Sequence, residues 1–278
     1  MSFPARGPAL DLDEASRRLR ESLLDCGESV LAVSGGVDSL TLAAFAHATP
    51  GARVRSVHAV SPAVPAAATA RVKAFAAERG LAVAMIDAGE FADEAYRVNP
   101  ANRCYFCKSH LYDGIRARFR ATVLSGANLD DLDDYRPGLI AARERAVRHP
   151  LVESGFTKAR VRELARDLGL GDIAELPAAP CLSSRVETGI RIEASALALV
   201  DAVEAELRAA LLPETVRCRV RHAGVVVEMD EAALDRLPAA DRATWIERIA
   251  LRARAAGVAG DVRFEAYRRG SAFLVPRA

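Results

Sequence analysis

Hydrophobic and polar positions along the first two thirds of the chain follow two alternating periods. Short apolar runs of β-forming residues, typical of buried strands, lie at 29–33, 54–60, 81–86 and 122–125. Helical spacing of apolar residues predicts helices over 11–26, 39–47, 66–79 and 106–120, and further helices up to 148 and over 157–168. Strand and helix signals at this spacing predict right-handed βαβ units and a parallel sheet.

The last third of the chain has a different pattern. Residues 171–189 show no periodicity, and a predicted helix over 193–211 follows. Two alternating strands at 215–221 and 225–229, a helix at 241–255 and a strand at 262–267 complete a small α+β unit. We therefore expect an α/β domain over residues 1–186 and a smaller α+β domain over 187–278, which would bind substrate or form an oligomer interface.

A glycine loop, Ser34-Gly35-Gly36-Val37-Asp38-Ser39, links the first strand to a helix. Adjacent glycines allow close backbone approach and direct several N–H groups into one concavity, and the helix behind adds its positive dipole end. The hydroxyls of Ser34 and Ser39 add hydrogen-bond donors, and Asp38 could hold a Mg²⁺ that bridges phosphate oxygens. Together these groups form a predicted phosphate cradle. Because no lysine lies between Ser29 and His47, it is not a Walker loop.

Three loops are expected at one edge of the sheet. Ser34, Ser61 and Gly126 each follow a predicted strand. Since ligands of open α/β sheets lie beyond the carboxyl ends of the strands, one site can draw on all three loops.

Composition limits the class of protein. Hydrophobic residues make up 51% and charged residues 27% of the 278 residues, and the net charge is +1, so no global field attracts nucleic acid or a membrane surface. No apolar run of about 18 residues suggests a membrane span, and the first residues lack a signal-peptide core. We expect a cytoplasmic protein with no nucleic-acid or membrane partner.

The five cysteines, an odd number without an export signal, argue against a disulfide framework. Cys104 and Cys107 form a Cys-x-x-Cys pair, predicted in a loop running into a helix. By itself the pair is compatible with half a zinc site, a redox dithiol or two buried cysteines.

A third cysteine, Cys181, lies in a loop with no packing pattern. Cys26 lies at the end of a predicted helix and Cys218 in a predicted alternating strand, so we expect both to be structural. Three thiolates without an evident fourth ligand suit a cubane iron–sulfur cluster with one open iron. Zinc would need a fourth ligand, for which His110 is the nearest candidate.

Several motifs together resemble one family. The glycine loop resembles the pyrophosphate (PP) loop of the N-type ATP pyrophosphatases, which split ATP between its α- and β-phosphates. The order of motifs is similar to that of the LarE-type sulfur transferases, which help build the nickel-pincer nucleotide cofactor. Besides the glycine loop, the motifs are Arg103–Lys108, Gly126–Asp131, Asp134–Gly138, Phe156–Lys158 and Cys181–Arg185.

The resemblance implies a Rossmann-like PP-loop domain of the adenine nucleotide alpha hydrolase type and a defined reaction. The family adenylates a carboxylate of a pyridinium mononucleotide with ATP and Mg²⁺ and converts it to a thiocarboxylate. Members with only the cysteine at the Cys181 position sacrifice its sulfur, whereas members with the additional Cys-x-x-Cys bind a [4Fe–4S] cluster. This sequence is similar to the second kind, and its sulfur donor is unknown.

Site residues follow from the motifs and the resemblance. Cys181, Asp38 and Arg185 are the expected catalytic residues, and Cys104, Cys107 and Cys181 the expected cluster ligands. The expected nucleotide-binding residues are Ala32, Val33, Ser34, Gly35, Gly36, Val37, Asp38, Ser39, Ser61, Arg103, Gly126, Asn128 and Asp131. The expected substrate-binding residues are Arg185, Glu204, Arg217, Arg219 and Glu228. Alternation places Arg217, Arg219 and Arg221 on one strand face, where they either bind a phosphate or form a solvated face.

The sequence departs from the family at Ser184–Gly189, where members usually read Ser-Arg-x-Pro-Tyr-Gly, and residues 263–270 match only loosely. Three other functions remain open: a cluster-dependent tRNA thiolase, which should show a basic strip, an ammonia-using PP-loop synthetase or amidotransferase, and a nucleotide-sensing or metal-storage module. The family tends to assemble, so we expect a homo-oligomer.

Overall fold

The computed structural model describes residues 11–132 and 136–268. Asp134 and Tyr135 of the fourth motif, the predicted arm at residues 1–10 and the end of the 263–270 stretch lie outside the described residues. Contacts divide the chain into two compact units. Unit 1 comprises the chain up to Ser61, Ala66–Ala92 and Cys104–Ala179, and unit 2 comprises Pro62–Pro65, Asp93–Arg103 and the chain from Pro180. The boundary after residue 186 as a limit of independently folding domains stays a prediction.

Twelve α-helices and seven strands lie within the described ranges. The helices are α1 Leu12–Asp25, α2 Val37–Ala48, α3 Ala66–Arg79, α4 Glu94–Arg97, α5 Arg103–Phe119, α6 Pro137–Glu144, α7 Pro150–Glu153, α8 Lys158–Asp167, α9 Gly171–Ala174, α10 Ala194–Leu211, α11 Glu231–Asp235 and α12 Ala239–Ala255. The strands are β1 Glu28–Ala32, β2 Arg53–Ala59, β3 Val83–Ile86, β4 Thr122–Ser125, β5 Val216–Arg221, β6 Gly224–Met229 and β7 Asp261–Ala266.

Unit 1 is built on a four-stranded, fully parallel sheet in the order β3-β2-β1-β4. The chain leaves β1 towards β2 on one side and later returns to β4 on the other side. The carboxyl end of β1 is therefore the switch point of the sheet, where ligands of open α/β sheets bind. The predicted α/β fold with a parallel, Rossmann-like sheet is confirmed.

Successive residues of β1 face opposite sides of the sheet, as strand geometry requires. Leu31 packs in a buried cluster with Leu40 of α2, and Val30 packs in a second cluster with Ile115 of α5. Both side chains are fully buried. Helices thus cover both faces of the sheet, which explains why β1 is apolar without alternation.

Unit 2 contains α10 and a three-stranded sheet in the order β5-β6-β7, in which β5 and β6 are antiparallel and β6 and β7 are parallel. The apolar face of α10, including Leu197, Val200 and Leu207, is buried. The predicted small C-terminal α+β unit is confirmed.

The chain before residue 106, where the predicted helix begins, contains more helix than the sequence pattern indicates. Asp93 caps the short helix α4, and α5 already begins at Arg103, whose N–H donates to the Pro100 carbonyl at 2.9 Å. The predicted loop position of the Cys-x-x-Cys pair is therefore wrong, because both cysteines lie in the first turns of α5. Within the described ranges, no helix is long and apolar enough to span a bilayer.

Candidate functional site: a phosphate cradle and a presented cysteine

The glycine loop in unit 1 continues directly from β1. The N–H of Val33 donates to the Val57 carbonyl at 2.7 Å and extends the sheet pairing by one residue. Ser39 Oγ accepts the N–H of Ser34 and donates to the Gly36 carbonyl, both at 3.1 Å, and lies 3.1 Å from Ser34 Oγ. These bonds fold the loop over the start of α2.

Close backbone approach explains two glycines in unit 1. Gly35 has φ +84°, and a Cβ there would lie 2.8 Å from the Ala68 carbonyl oxygen. A Cβ on Gly126 would lie 2.9 Å from the backbone N and Cα of Ser39. The loop after β4 is therefore pressed against the start of α2, and only glycine fits there.

The N-terminus of α2 faces this loop cluster. Gly36 is the N-cap residue, and no side chain caps the first turn of this twelve-residue helix. The first N–H groups and the positive end of the helix dipole are thus oriented to receive an anion, as at other phosphate-binding helix N-termini. The side chains of Val33 and Val37 are buried, so only their backbone groups are open to a ligand. The nucleotide-binding roles of Ala32, Val33 and Val37 stay predictions.

Asp38 is held between two side chains. Asn128 Nδ2 donates to Asp38 Oδ1 at 3.0 Å, and Lys158 Nζ lies 2.5 Å from Asp38 Oδ2. Lys158 begins α8, and its backbone N–H donates to Asp130 Oδ2 at 3.0 Å. A cation therefore stands at the cradle, although none is supplied by the loop itself.

Lys158 is a residue for which sequence reasoning predicted no role. It belongs to the Phe156–Lys158 motif, but 120 positions separate it from Asp38. Only the packing of α8 against α2 brings the two residues together. In the sequence, its place in the Phe156–Lys158 motif is the one signal that Lys158 belongs to the site.

The other predicted nucleotide-binding residues have varied surroundings. Asp131 caps its own loop by accepting the Asn128 N–H at 3.0 Å and pairs with Arg136 at 2.7 Å. Ser61 follows β2 at a bend, and Arg103 is almost fully buried at the start of α5. Their roles in nucleotide binding stay predictions.

The donor set is compatible with Mg²⁺. Among the residues that the structure describes, no group of three His, Cys, Asp or Glu side chains could hold a metal ion. Mg²⁺ in nucleotide sites usually needs one or two carboxylates, with phosphate and water oxygens as its other ligands. Asp38 alone can meet that need.

Cys104 and Cys107 are spaced i, i+3 on α5, so their thiols lie on one side of the helix. Both are partly exposed, and none of the five cysteines is in a disulfide. Two accessible thiols on a helix N-terminus fit two ligands of a metal cluster. Cluster binding stays a prediction.

Cys181 in unit 2 is exposed at the start of a short 3₁₀ turn, Leu182–Arg185, whose other residues are largely buried. The Leu182 N–H donates to the Ala63 carbonyl at 2.8 Å, and Tyr96 and Ser183 share a buried hydrogen bond of 2.6 Å between their hydroxyls. The turn is thus anchored on both sides, and it presents one thiol to solvent.

Arg185 stabilises this turn through hydrogen bonds to backbone carbonyls. Its Nη1 donates to the carbonyls of Pro180 and Cys181 at 2.7 and 3.2 Å. Its Nε and Nη2 donate to the two carboxylate oxygens of Glu204 at 2.9 and 3.1 Å, and both side chains are almost fully buried. This arrangement makes Arg185 a positioning residue in the structure; its predicted catalytic and substrate-binding roles stay predictions.

Glu204 gathers more than one cation. Arg208 Nη2 lies 2.6 Å from its Oε2, and the Cys218 N–H donates to its Oε1 at 3.1 Å. Burial by itself raises the pKa of Glu204, but Arg185 and Arg208 outweigh it and hold the pKa below its usual value. Burial, followed by the neighbouring Arg185, lowers the pKa of Arg217. Glu204 is thus the shared carboxylate partner of Arg185 and Arg208.

The strand arginines are not a solvated face. Arg219 is buried and its Nε lies 2.6 Å from Glu228 Oε2, while Arg221 Nη2 lies 2.8 Å from Glu228 Oε1. The alternative of a solvated strand face is therefore wrong for Arg219. Binding of substrate by Arg217, Arg219, Glu204 and Glu228 stays a prediction.

These features define the class of protein: an α/β Rossmann-like fold of the PP-loop type with a small C-terminal α+β unit.

No family model matches the chain. Three curated proteins show the following similarity. An uncharacterized protein of Synechocystis sp. is 38% identical over 71% of this chain and 75% of its own length. The pyridinium-3,5-bisthiocarboxylic acid mononucleotide synthase of Lactiplantibacillus plantarum is 32% identical over 77% of this chain and 78% of its own length. An uncharacterized protein of Methanocaldococcus jannaschii is 30% identical over 40% of this chain and 44% of its own length.

At this identity and coverage, the chain belongs to the family of pyridinium-3,5-bisthiocarboxylic acid mononucleotide synthases, the LarE-type sulfur transferases.

Proposed function

We propose that this protein is an ATP-dependent sulfur transferase that adenylates a carboxylate of a pyridinium mononucleotide and converts it to a thiocarboxylate. The observation that carries the proposal is the phosphate cradle of unit 1, where the glycine loop meets the uncapped N-terminus of α2. The exposed Cys181, described within unit 2 by itself, supports the sulfur-transfer step. The Lactiplantibacillus plantarum relative is named for a bisthiocarboxylic acid mononucleotide product, which supports the substrate class.

The first step is adenylation. A carboxylate oxygen of the substrate attacks the α-phosphorus of ATP, the bond from that phosphorus to the bridging oxygen breaks, and pyrophosphate leaves. The free N–H groups at the start of α2 and the ammonium of Lys158 would stabilise the charge on the departing pyrophosphate. Mg²⁺ held by Asp38, when bound, would neutralise phosphate charge in the same place.

The second step transfers sulfur. A sulfur nucleophile attacks the acyl carbon of the adenylate, the bond from carbon to the AMP oxygen breaks, and AMP leaves with that oxygen. Cys104, Cys107 and Cys181 would hold a [4Fe–4S] cluster, which when bound would supply inorganic sulfide as the nucleophile. Arg217 of β5, one of the predicted substrate-binding residues, would bind an anionic group of the substrate.

Product analysis tests the proposal. Incubation of the protein with ATP, Mg²⁺ and a pyridinium carboxylate mononucleotide should release AMP and pyrophosphate in equal amounts. Mass spectrometry should detect the thiocarboxylate only when a sulfur source is present. Formation of ADP and phosphate, or ATP cleavage that is independent of the carboxylate, would contradict it.

The cluster assignment has its own test. After anaerobic purification, the wild type should contain iron and acid-labile sulfide, and Cys104→Ser and Cys107→Ser should lose them. Cys26→Ala is the matched control, because Cys26 is buried at the end of α1 and should leave the iron content unchanged. A Cys104→Ser variant with full iron content would exclude this ligand set.

A further inference from the structure

Arg71 of α3 contacts the glycine loop, and none of the sequence motifs contains this residue. Its Nη1 donates to the Gly35 carbonyl at 2.8 Å. The contact lies inside unit 1, where Gly35 packs against the first turns of the same helix at Ala68 and Val72.

The bond to Gly35 determines the orientation of one peptide group. Among the described residues every peptide bond is trans, and in a trans peptide the C=O and the N–H point in opposite directions. Because Arg71 holds the Gly35 carbonyl towards α3, the N–H of Gly36 points away from α3. Within residues 11–132 and 136–268, the one contact of that N–H is a long one of 3.4 Å to Ser34 Oγ, so the N–H remains available to a stronger acceptor.

The Gly35–Gly36 peptide needs the restraint that Arg71 provides, because glycine has a flexible backbone. Gly35 at φ +84° and Gly36 beside it lack the side chains that would limit their backbone angles. Without the guanidinium, the Gly35–Gly36 peptide could rotate and turn its carbonyl oxygen towards the cradle. A carbonyl oxygen in that position would repel a phosphate.

The charge of Arg71 is also uncompensated. In the part of the chain that the structure describes, no carboxylate lies within ion-pair distance of Arg71, and the Gly35 carbonyl is its one hydrogen-bond acceptor. Burial lowers the pKa of Arg71, as expected for a cation that is partly removed from water without a counter-ion. A partly buried cation beside a phosphate cradle gains its missing counter-charge when an anion binds.

We propose that Arg71 is a positioning residue for the pyrophosphate moiety of ATP, which holds the Gly36 N–H towards the phosphates and adds positive charge behind the loop. The inference rests on the proposed function and adds to it a residue outside the family motifs. It predicts that Arg71 affects ligands with a pyrophosphate group and leaves the recognition of AMP unchanged.

Binding measurements on the full chain test it with three ligands: Mg·ATP, Mg·pyrophosphate and AMP. In Arg71→Met, the affinity for ATP and for pyrophosphate should fall about tenfold or more, the range for loss of a hydrogen bond to a charged group. The affinity for AMP should stay within about twofold of wild type. Arg71→Lys keeps the charge and one donor, so it should fall between the two.

Lys73→Met is the matched control, because Lys73 is exposed on the same helix and carries the same charge. It should bind all three ligands like wild type. Should Arg71→Met fail to fold, Arg71→Lys decides the result. Equal losses for AMP and ATP, or wild-type affinities in a folded Arg71 variant, would overturn the inference; a wild type that binds neither ATP nor pyrophosphate would instead overturn the proposed function.

Discussion

Lys158 Nζ and Asp38 Oδ2 lie 2.5 Å apart at the mouth of the glycine loop. The pair joins the start of α8 to the start of α2, and Asn128 holds the other oxygen of the carboxylate. An acid expected to bind Mg²⁺ thus has a cation beside it. We expect Lys158 to turn from Asp38 to the phosphates when Mg·ATP binds, because Mg²⁺ then supplies the charge that Asp38 needs.

Replacement of Lys158 tests this exchange. Lys158→Met should lower kcat/KM for ATP in pyrophosphate release about tenfold or more, because a cation facing the phosphates is lost. The free energy of unfolding should fall by about 1 kcal/mol or less, because the side chain is 35% exposed and such pairs contribute little. Lys158→Arg should retain most activity. A Met variant with unchanged kcat/KM would exclude a role for Lys158 in catalysis.

Gly126 offers a steric test of the loop cluster. The Cβ of Gly126→Ala would lie 2.9 Å from the Ser39 backbone, which cannot move without shifting α2. We expect a loss of about 1–3 kcal/mol of stability and weaker ATP binding. Gly114→Ala in the middle of α5 is the control, since its Cβ meets nothing within 4 Å. It should raise stability by about 0.5–1 kcal/mol. Chemical denaturation and ATP titration measure both effects, and equal behaviour of the two variants would contradict the packing argument.

The buried pair of Arg185 and Glu204 predicts a pH dependence of stability. The folded-state pKa of Glu204 lies below its usual value, so its contribution is present above the unfolded pKa, about 4.3, and is lost as pH falls through the folded pKa. Glu204→Gln should therefore be less stable than wild type at pH 7 by about 3–5 kcal/mol, as for other broken buried pairs. The difference should shrink as the pH falls below about 4.3. A difference that is constant with pH would contradict it.

The same pair predicts an effect on Cys181, which Arg185 positions through its carbonyl. In folded Arg185→Lys, the rate of Cys181 alkylation should change at least about threefold, because one ammonium cannot replace the bidentate contact to Glu204. Peptide mass spectrometry of the alkylated protein gives the rate. Ser195→Ala, a surface change on α10, is the control and should react like wild type. An unchanged rate in Arg185→Lys would show that the turn is held without Arg185.

Local patterns predicted much of the fold. The run at 122–125 predicts β4 at its observed bounds, and the alanine-rich helix predicted over 66–79 is α3 as observed. The predicted helix begins at residue 106, three residues after the observed start of α5 at Arg103. The turn at Pro100 that precedes α5 has no periodic signal in the sequence. α4 has four residues, too few for a helical period to show.

The contacts of the sites depended on tertiary structure. Arg219 and Glu228 lie on the neighbouring strands β5 and β6. The register places Arg217 opposite Glu228, so Arg219 forms its ion pair with Glu228 diagonally, and the hairpin as a whole decides this register. The glycine loop, by contrast, could be predicted from the sequence, because its adjacent glycines and their position between a strand and a helix indicate a particular backbone conformation. Lys158 and Arg71 reach that loop from α8 and α3, and nothing local to either residue indicates its partner.

Oxygen-isotope transfer tests the central claim, acyl adenylation, most directly. The substrate is labelled with oxygen-18 in its carboxylate and incubated with ATP, Mg²⁺ and a sulfur source, and the AMP is analysed by mass spectrometry. The account predicts AMP that carries one oxygen-18 atom, because the attacking carboxylate oxygen leaves with AMP when sulfur replaces it. Unlabelled AMP alongside the thiocarboxylate product would contradict it.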